Sequence, residues 1–299
     1  MWRSVSLLFF FITQIKSVMA APTAVLYPDV REPYLSIFEQ IRSGVKESSQ
    51  SQVQGVALGS DTDVPSLIKK LKSDDVSRIV LLGSRGYSIA SGLTAQFSLV
   101  VGAYPSTPGT FGGVSMMTAP AQVIKKLNLV APNVKNVYLI VSEQNRWIAE
   151  LLEQISKTAK FKPHIHVVNN LKESVQTYHK ISVQGQLGPE DAIWLPIDTV
   201  AMHEKVILPM VLKASWEKKF VLFSSIPTHA KRGALFSFYP DNYELGKQLG
   251  NMLHNNDKTI PLLPMSHILL AVNLRTAKHL GITYTSQEKE QFNIILPER

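Results

Sequence analysis

Several short stretches bring together residue types that can hold a small molecule. Gly83-Ser84-Arg85-Gly86 stands where the apolar run Arg78 to Leu82 gives way to a helical pattern. At such a junction free backbone N–H groups point outward, and with the Arg85 guanidinium and the Ser84 hydroxyl they suit a carboxylate or phosphate. It is not a Walker loop, which needs a lysine and a different spacing. The ordinary alternative is a strand-to-helix turn that happens to carry a surface arginine. Ser142, Glu143 and Asn145 occupy a similar junction, where Glu143 could face an amine or the group could simply cap a helix. Asp198-Thr199 follows Pro196 at a strand end and is open to the same two readings. Ser224-Ser225 closes another strand and could donate hydrogen bonds to a ligand. Tyr27, Tyr87 and Tyr239 could stack on a planar ligand, or could be packing residues.

Reactive constellations are missing from the pattern. His164 and His166 share one face of a strand, but no third metal ligand stands near them, so exposed strand histidines are the expectation. Gly113-Val114-Ser115-Met116-Met117 lacks the second glycine of a nucleophile elbow. There is no cysteine, which excludes disulfides, thiolate metal sites and a lipid-modified cysteine. No acid/base pair, cofactor loop or triad stands out, so the expectation is binding without catalysis and without a cofactor.

The elements that must carry these residues alternate. Short β-rich runs and helix-length amphipathic segments follow one another almost throughout, which predicts an α/β fold with parallel sheets flanked by helices. In the first half the strands are Ala24–Tyr27, Gln54–Leu58, Arg78–Leu82 and Ser98–Gly102, with helices at 34–46, 64–73 and 88–94. The turn-rich stretch from Tyr104 to Gly113 then breaks the pattern and predicts a first crossing between lobes. A second βα series follows: strands near 136–141, 164–168, 192–195, 220–223 and 234–238, and helices over 120–129, 146–158, 171–181 and 199–215. Two doubly wound, Rossmann-like lobes bind ligands beyond their strand C-termini, so the site is expected in the cleft between them.

The first twenty residues differ from the rest. Arg3, an apolar run from Val5 to Ile12 and the small-residue ending Val18-Met19-Ala20 read as a secretory signal peptide cleaved near Ala20. Its apolar run is too short to span a bilayer comfortably. Export without a lipid anchor predicts a soluble periplasmic protein. With Arg3 and Lys16 removed the formal charge falls from +8 to +6, a mild and scattered excess. Pairs such as Lys69-Lys70 and Lys125-Lys126 read as solvated helix faces, and nothing predicts nucleic-acid binding.

One segment carries a specific resemblance. Lys231 to Gln248, KRGALFSFYPDNYELGKQ, closely resembles the GALASYGPDYYELGRQ stretch of the ABC transporter substrate-binding proteins that include tryptophan and tyrosine uptake components. Val272 to Ile282 is similar to that family's NLKTAKALGI, Ile193 to Asp198 to its VWLPQD strand end, and Gly113 to Ser115 to its TGVS crossing. The order and spacing of all four agree over residues 113 to 285. The resemblance implies a type I periplasmic binding protein fold with a three-segment hinge. Its lobes would comprise residues 21–112 with 240–265, and 113–239 with 266–299.

The resemblance further implies a monomer that delivers an aromatic amino acid, or a related anionic or zwitterionic solute, to an ABC permease. The alternative is a sensory or scaffold protein of the same fold acting on a membrane signalling partner. Two departures bear on the ligand. The family's small-residue turn is here Gly83-Ser84-Arg85-Gly86-Tyr87-Ser88, and its acidic turn after the fourth strand is Gly102-Ala103-Tyr104-Pro105, without a carboxylate.

Overall fold

A computed structural model describes residues 20–49, 51–254 and 260–297. The predicted signal segment lies, up to residue 19, outside them. The chain builds two sheets in turn. The first series runs β1 (Ala20–Pro28), α1 (Tyr34–Ser49), β2 (Ser51–Leu58), α2 (Val64–Ser73), β3 (Arg78–Leu82), α3 (Gly83–Leu93), β4 (Ser98–Tyr104) and β5 (Gly113–Thr118). The second runs α4 (Pro120–Val130), β6 (Asn136–Ser142), α5 (Arg146–Ser156), β7 (Lys162–Val168), α6 (Leu171–Tyr178), β8 (Asp191–Leu195), α7 (Ile207–Lys218), β9 (Val221–Ser224), α8 (His229–Arg232) and β10 (Phe236–Pro240). The chain then returns to the first lobe with α9 (Asn242–His254) and β11 (Leu262–Met265). It ends in the second with β12 (Ile268–Asn273), α10 (Leu274–His279), α11 (Ser286–Lys289) and β13 (Ile294–Leu296).

The strand orders are β11-β5-β4-β3-β1-β2 in lobe 1 and β13-β12-β10-β9-β8-β6-β7 in lobe 2. Each lobe is therefore wound 2-1-3-4-5 through its first five strands, with the topological switch beside its first strand. Every pairing is parallel except β10 with β12. Strands covered on both faces must be apolar throughout, and Ile79 to Leu82 of β3 and Ala192 to Leu195 of β8 are all buried.

Three crossings join the lobes, at Ala119, Asp241 and Ser266-His267, each leaving one sheet and entering the other. They are tied together: Ala119 N–H donates to the Met265 carbonyl at 2.8 Å and Asp241 N–H to the His267 carbonyl at 3.1 Å. Since β5, β10 and β11 all run into a crossing at their C-terminal ends, the C-terminal edges of the two parallel sheets face each other. The second crossing carries the helix α9 back onto α1. Gly44, Gly246 and Gly250 let the two backbones meet, for a Cβ at Gly44 would run into the Tyr243 carbonyl and one at Gly246 into that of Ile41.

Three expectations change, the first being that the helix expected over 88–94 already begins at Gly83. Gly113–Thr118 is a strand of lobe 1, paired with β4 and β11, so the crossing follows it at Ala119 rather than preceding it, and the boundary at 112/113 moves. The turn-rich stretch before it is a connection within one sheet: Val101 N–H donates to the Gly112 carbonyl at 2.9 Å. Gly113 has a φ of 141° and lies so close to the Val101 backbone that a Cβ would collide with it. The helix expected from Thr199 starts only at Ile207, because residues 198–206 fold into turns anchored on Asp198.

Candidate crevice site

At the C-terminal edge of lobe 1, the ends of β1, β2 and β3 surround a pocket of about 660 Å³. Pro28 and Asp29 come from the end of β1, Leu58 to Ser60 from the end of β2, and Ser84, Arg85 and Ser88 from α3. This is the switch-point side of the sheet, where β1 parts from its neighbours to β2 and β3. α3 begins on the residue after β3, with Gly83 at φ 68° making the sharp turn and no side chain capping the first N–H groups. A capped helix would have met this demand with its own Ser, Thr, Asp or Asn. Ser84 is exposed and Arg85 half-buried, and among the described residues neither side chain has a hydrogen-bond or ion-pair partner. The pocket thus offers backbone donors, a guanidinium and a hydroxyl on one side, and the Asp29 carboxylate on another.

The corresponding edge of lobe 2 is built differently. Asp198 is 4% exposed. One of its carboxylate oxygens accepts from Ser142 N–H (2.7 Å), the Ser142 hydroxyl (2.8 Å) and Asn145 Nδ2 (2.9 Å). The other accepts from Val200 N–H (3.0 Å) and Ala201 N–H (2.8 Å). Five donors on one buried carboxylate fasten the end of β8 to the end of β6. Ser224 is buried as well. Its Oγ lies 3.2 Å from the Leu195 carbonyl and 2.9 Å from His229 Nδ1, and it accepts from Ile226 N–H at 2.9 Å. His229 Nε2 meets Glu204 at 3.3 Å, and Glu204 also pairs with Arg232. Burial holds the His229 imidazole below its ordinary pKa, against the opposing pull of Glu204. Ser225 joins the lobes: the Thr118 hydroxyl donates to its Oγ at 2.9 Å, and so does Trp194 Nε1 at 2.9 Å.

The residues singled out in the sequence therefore separate. Ser84 and Arg85 line the pocket. Tyr27 turns the other way, its ring stacked on Phe38 at 5.7 Å and its hydroxyl on Glu39. Tyr87 packs on Tyr104 at 4.7 Å and on Phe111 at 5.4 Å, and does not line the pocket. Tyr239 packs with Ala230, Ala271 and Leu296 inside lobe 2. Glu143 is bound bidentately by Arg146, 2.8 and 2.6 Å, at the surface, and that guanidinium holds its carboxyl below the usual range. Ser142, Asp198 and Ser224 are spent on the lobe's own hydrogen bonds, and Thr199 alone of this group is exposed. His164 stacks on Tyr138 at 4.4 Å and meets Asn136 at 3.2 Å. No group of three potential metal ligands occurs among the described residues. Asp29, Ser60 and Ser88 were not anticipated. The signal for Asp29 was its place directly after a strand end, in Tyr27-Pro28-Asp29.

Residues 41–290 match the family described as ABC transporter substrate binding protein. The chain belongs to that family. Among solved structures, this substrate-binding protein is similar to the ABC domain from Streptococcus pneumonia in complex with L-Trp, at 20% identity and a TM-score of 0.54, over 92% of this chain and 99% of that one. It is also similar to the ligand-free, open form of a substrate-binding protein with adhesive properties from Clostridium difficile, at 15% identity and a TM-score of 0.61, over 94% and 100%. A conserved domain protein from Vibrio cholerae matches at 15% identity and a TM-score of 0.53, over 92% and 99%. No curated protein sequence matches it significantly. These likenesses support the two-lobed type I periplasmic binding fold, and the family's role is capture of a transporter's substrate rather than catalysis. Among the described residues no helix is long and apolar enough to cross a membrane.

Proposed function

We propose that this substrate-binding protein captures a small zwitterionic solute, an aromatic amino acid or a close relative, at the crevice edge of lobe 1, and presents it to an ABC permease at the outer face of the inner membrane. The observation that carries the reading is the pairing of opposite charges across one pocket. A carboxylate fits the uncapped start of α3 and Arg85, and an ammonium fits Asp29. Asp29 supplies the carboxylate that the turn after β4 lacks and that Glu143, held by Arg146, does not offer. The aromatic part of the reading rests on the family resemblance, since the pocket lining carries no aromatic side chain.

All the residues lining the pocket come from lobe 1. Closure of lobe 2 over it completes the enclosure, and the ligand favours the closed form by the contacts that exist only there. Export to the periplasm follows from the signal-like N-terminus together with this role. The test is a thermal-shift panel of amino acids and aromatic acids. A true ligand at about a hundredfold over its Kd raises Tm by about 5 °C. Absence of any shift across the panel at saturation rules out the amino-acid reading.

A further inference from the structure

A cavity larger than the crevice pocket lies at the opposite pole of lobe 2, where β6, β8 and β9 begin. Its volume is about 760 Å³, within the range of small-molecule sites. The crevice reading makes no use of it. Val134, Val221, Leu280 and Ile282 supply apolar floor, and Tyr284 is fixed in the wall by its hydroxyl, which donates to the Val130 carbonyl at 2.9 Å.

Three lysines stand on the rim, Lys135, Lys160 and Lys219, against two carboxylates, Glu190 and Glu288. Lys135 and Glu190 satisfy each other at 2.5 Å. Glu288 is turned to its own helix start, accepting from Thr285 N–H at 2.7 Å and the Thr285 hydroxyl at 2.8 Å. Lys160 and Lys219 are left: among the described residues neither ammonium has an ion-pair or hydrogen-bond partner.

Lys219 carries a second signal. It closes α7 in the left-handed conformation, φ 62° and ψ 25°, a place that glycine fills without strain and that a side chain reaches at a cost. Lys219 thus holds a conformation that glycine would take more easily, with its exposed ammonium at the cavity rim.

We infer that this polar cavity is a second ligand site of the chain, which takes an amphipathic organic anion, its apolar body on the Val134–Ile282 floor and its acidic group on Lys160 and Lys219. The site is independent of the crevice, since it lies at the other ends of the strands.

The inference is tested on the full chain with 8-anilinonaphthalene-1-sulfonate as a fluorescent probe and octanoate as a competitor. The expected result is one saturable site, displaced by octanoate. Lys160→Ala and Lys219→Gly should each weaken it about tenfold, the loss expected for one charge-assisted contact, and Lys125→Ala, an exposed lysine on α4, should leave it unchanged. Lys219→Gly should at the same time hold or raise Tm, because glycine suits the left-handed backbone, so lost binding cannot be ascribed to lost folding. Absence of saturable binding, or binding that the two rim variants leave unaltered, would overturn it.

Discussion

The two crevice-facing edges have the same strand order and opposite chemistry. On lobe 2, the polar groups at the ends of β6, β8 and β9 are already engaged: Asp198 holds five donors and Ser224 three contacts within the lobe, and Ser225 takes one donor from its own lobe and one from Thr118 of lobe 1. On lobe 1, the ends of β1, β2 and β3 leave helix N–H groups, Ser84 and Arg85 unclaimed around a pocket. A buried polar group without a partner costs free energy, whereas one at a solvated pocket wall can wait for a ligand. On the proposed reading, lobe 2 supplies a rigid jaw, and lobe 1 the groups that recognise the solute. Changes on the first edge should act on stability, and changes on the second on affinity.

The largest effect is expected at Asp198. Asp198→Ala strands Ser142 and Asn145 and frees the turn at Val200 and Ala201, and it should cost about 3 kcal/mol in a urea unfolding experiment. A loss under 1 kcal/mol would show that the lobe 2 edge is not fastened by this carboxylate. Ser225→Ala comes next. It leaves the Thr118 hydroxyl and Trp194 Nε1 buried and unpaired at the joint between lobes, for about 2 kcal/mol. Arg85→Ala should behave in the reverse manner. Its side chain holds no partner among the described residues, so Tm should stay within a degree or so, while affinity for the crevice ligand falls about tenfold. A variant that loses stability instead of affinity would erase the contrast between the two edges.

Much of this architecture could be read in the residues, and the failures have identifiable causes. Helix α2 has Asp63 as its cap, accepting from Ser66 N–H at 2.9 Å, and lysines in its last turn. Such a helix announces both ends, and the expectation of Val64 to Ser73 matches it to the residue. The start of α7 was hidden because Asp198 accepts from Val200 and Ala201 N–H, a local bond that competes with helix formation. The lobe to which residues 113–118 belong is not legible locally, because the loop before β5 contains no helix and no local pattern tells a within-sheet return from a crossing.

The lining of the candidate pocket is half legible in the sequence for a related reason. Strand-end position points to Ser84 and Arg85, which line the lobe 1 pocket, but the same rule applied to β1 points at Asp29 as well as at Tyr27. Which way a side chain turns depends on the register and on the helix packed above it. Tyr27 goes to Phe38 on α1, and nothing in the spacing of tyrosines reveals that. Likewise a buried Asp or Ser at a strand end reads as a candidate ligand contact until its internal donors are counted.

The smallest and most specific difference between the edges is their response to acid. His229 sits in the lobe 2 network with its side chain fully buried, between Ser224 on β9, Glu204 in the turn after β8, and Arg232 on its own helix. Burial lowers its folded-state pKa, so the unfolded chain takes up the proton first, near pH 6.5. Stability from this group is therefore complete above about pH 6.5 and is lost as the pH falls through the depressed folded value. His164 and His166 are shifted the same way, also chiefly by burial, and they contribute a background of the same sign. His229→Gln removes one titration while leaving an amide to face Ser224 and Glu204. The fall in urea midpoint between pH 7.5 and pH 5.5 should then be shallower than in the natural chain. Equal falls would mean that the histidine's proton is not excluded by the fold, and that the lobe 2 edge is less closed to solvent than its hydrogen bonds require.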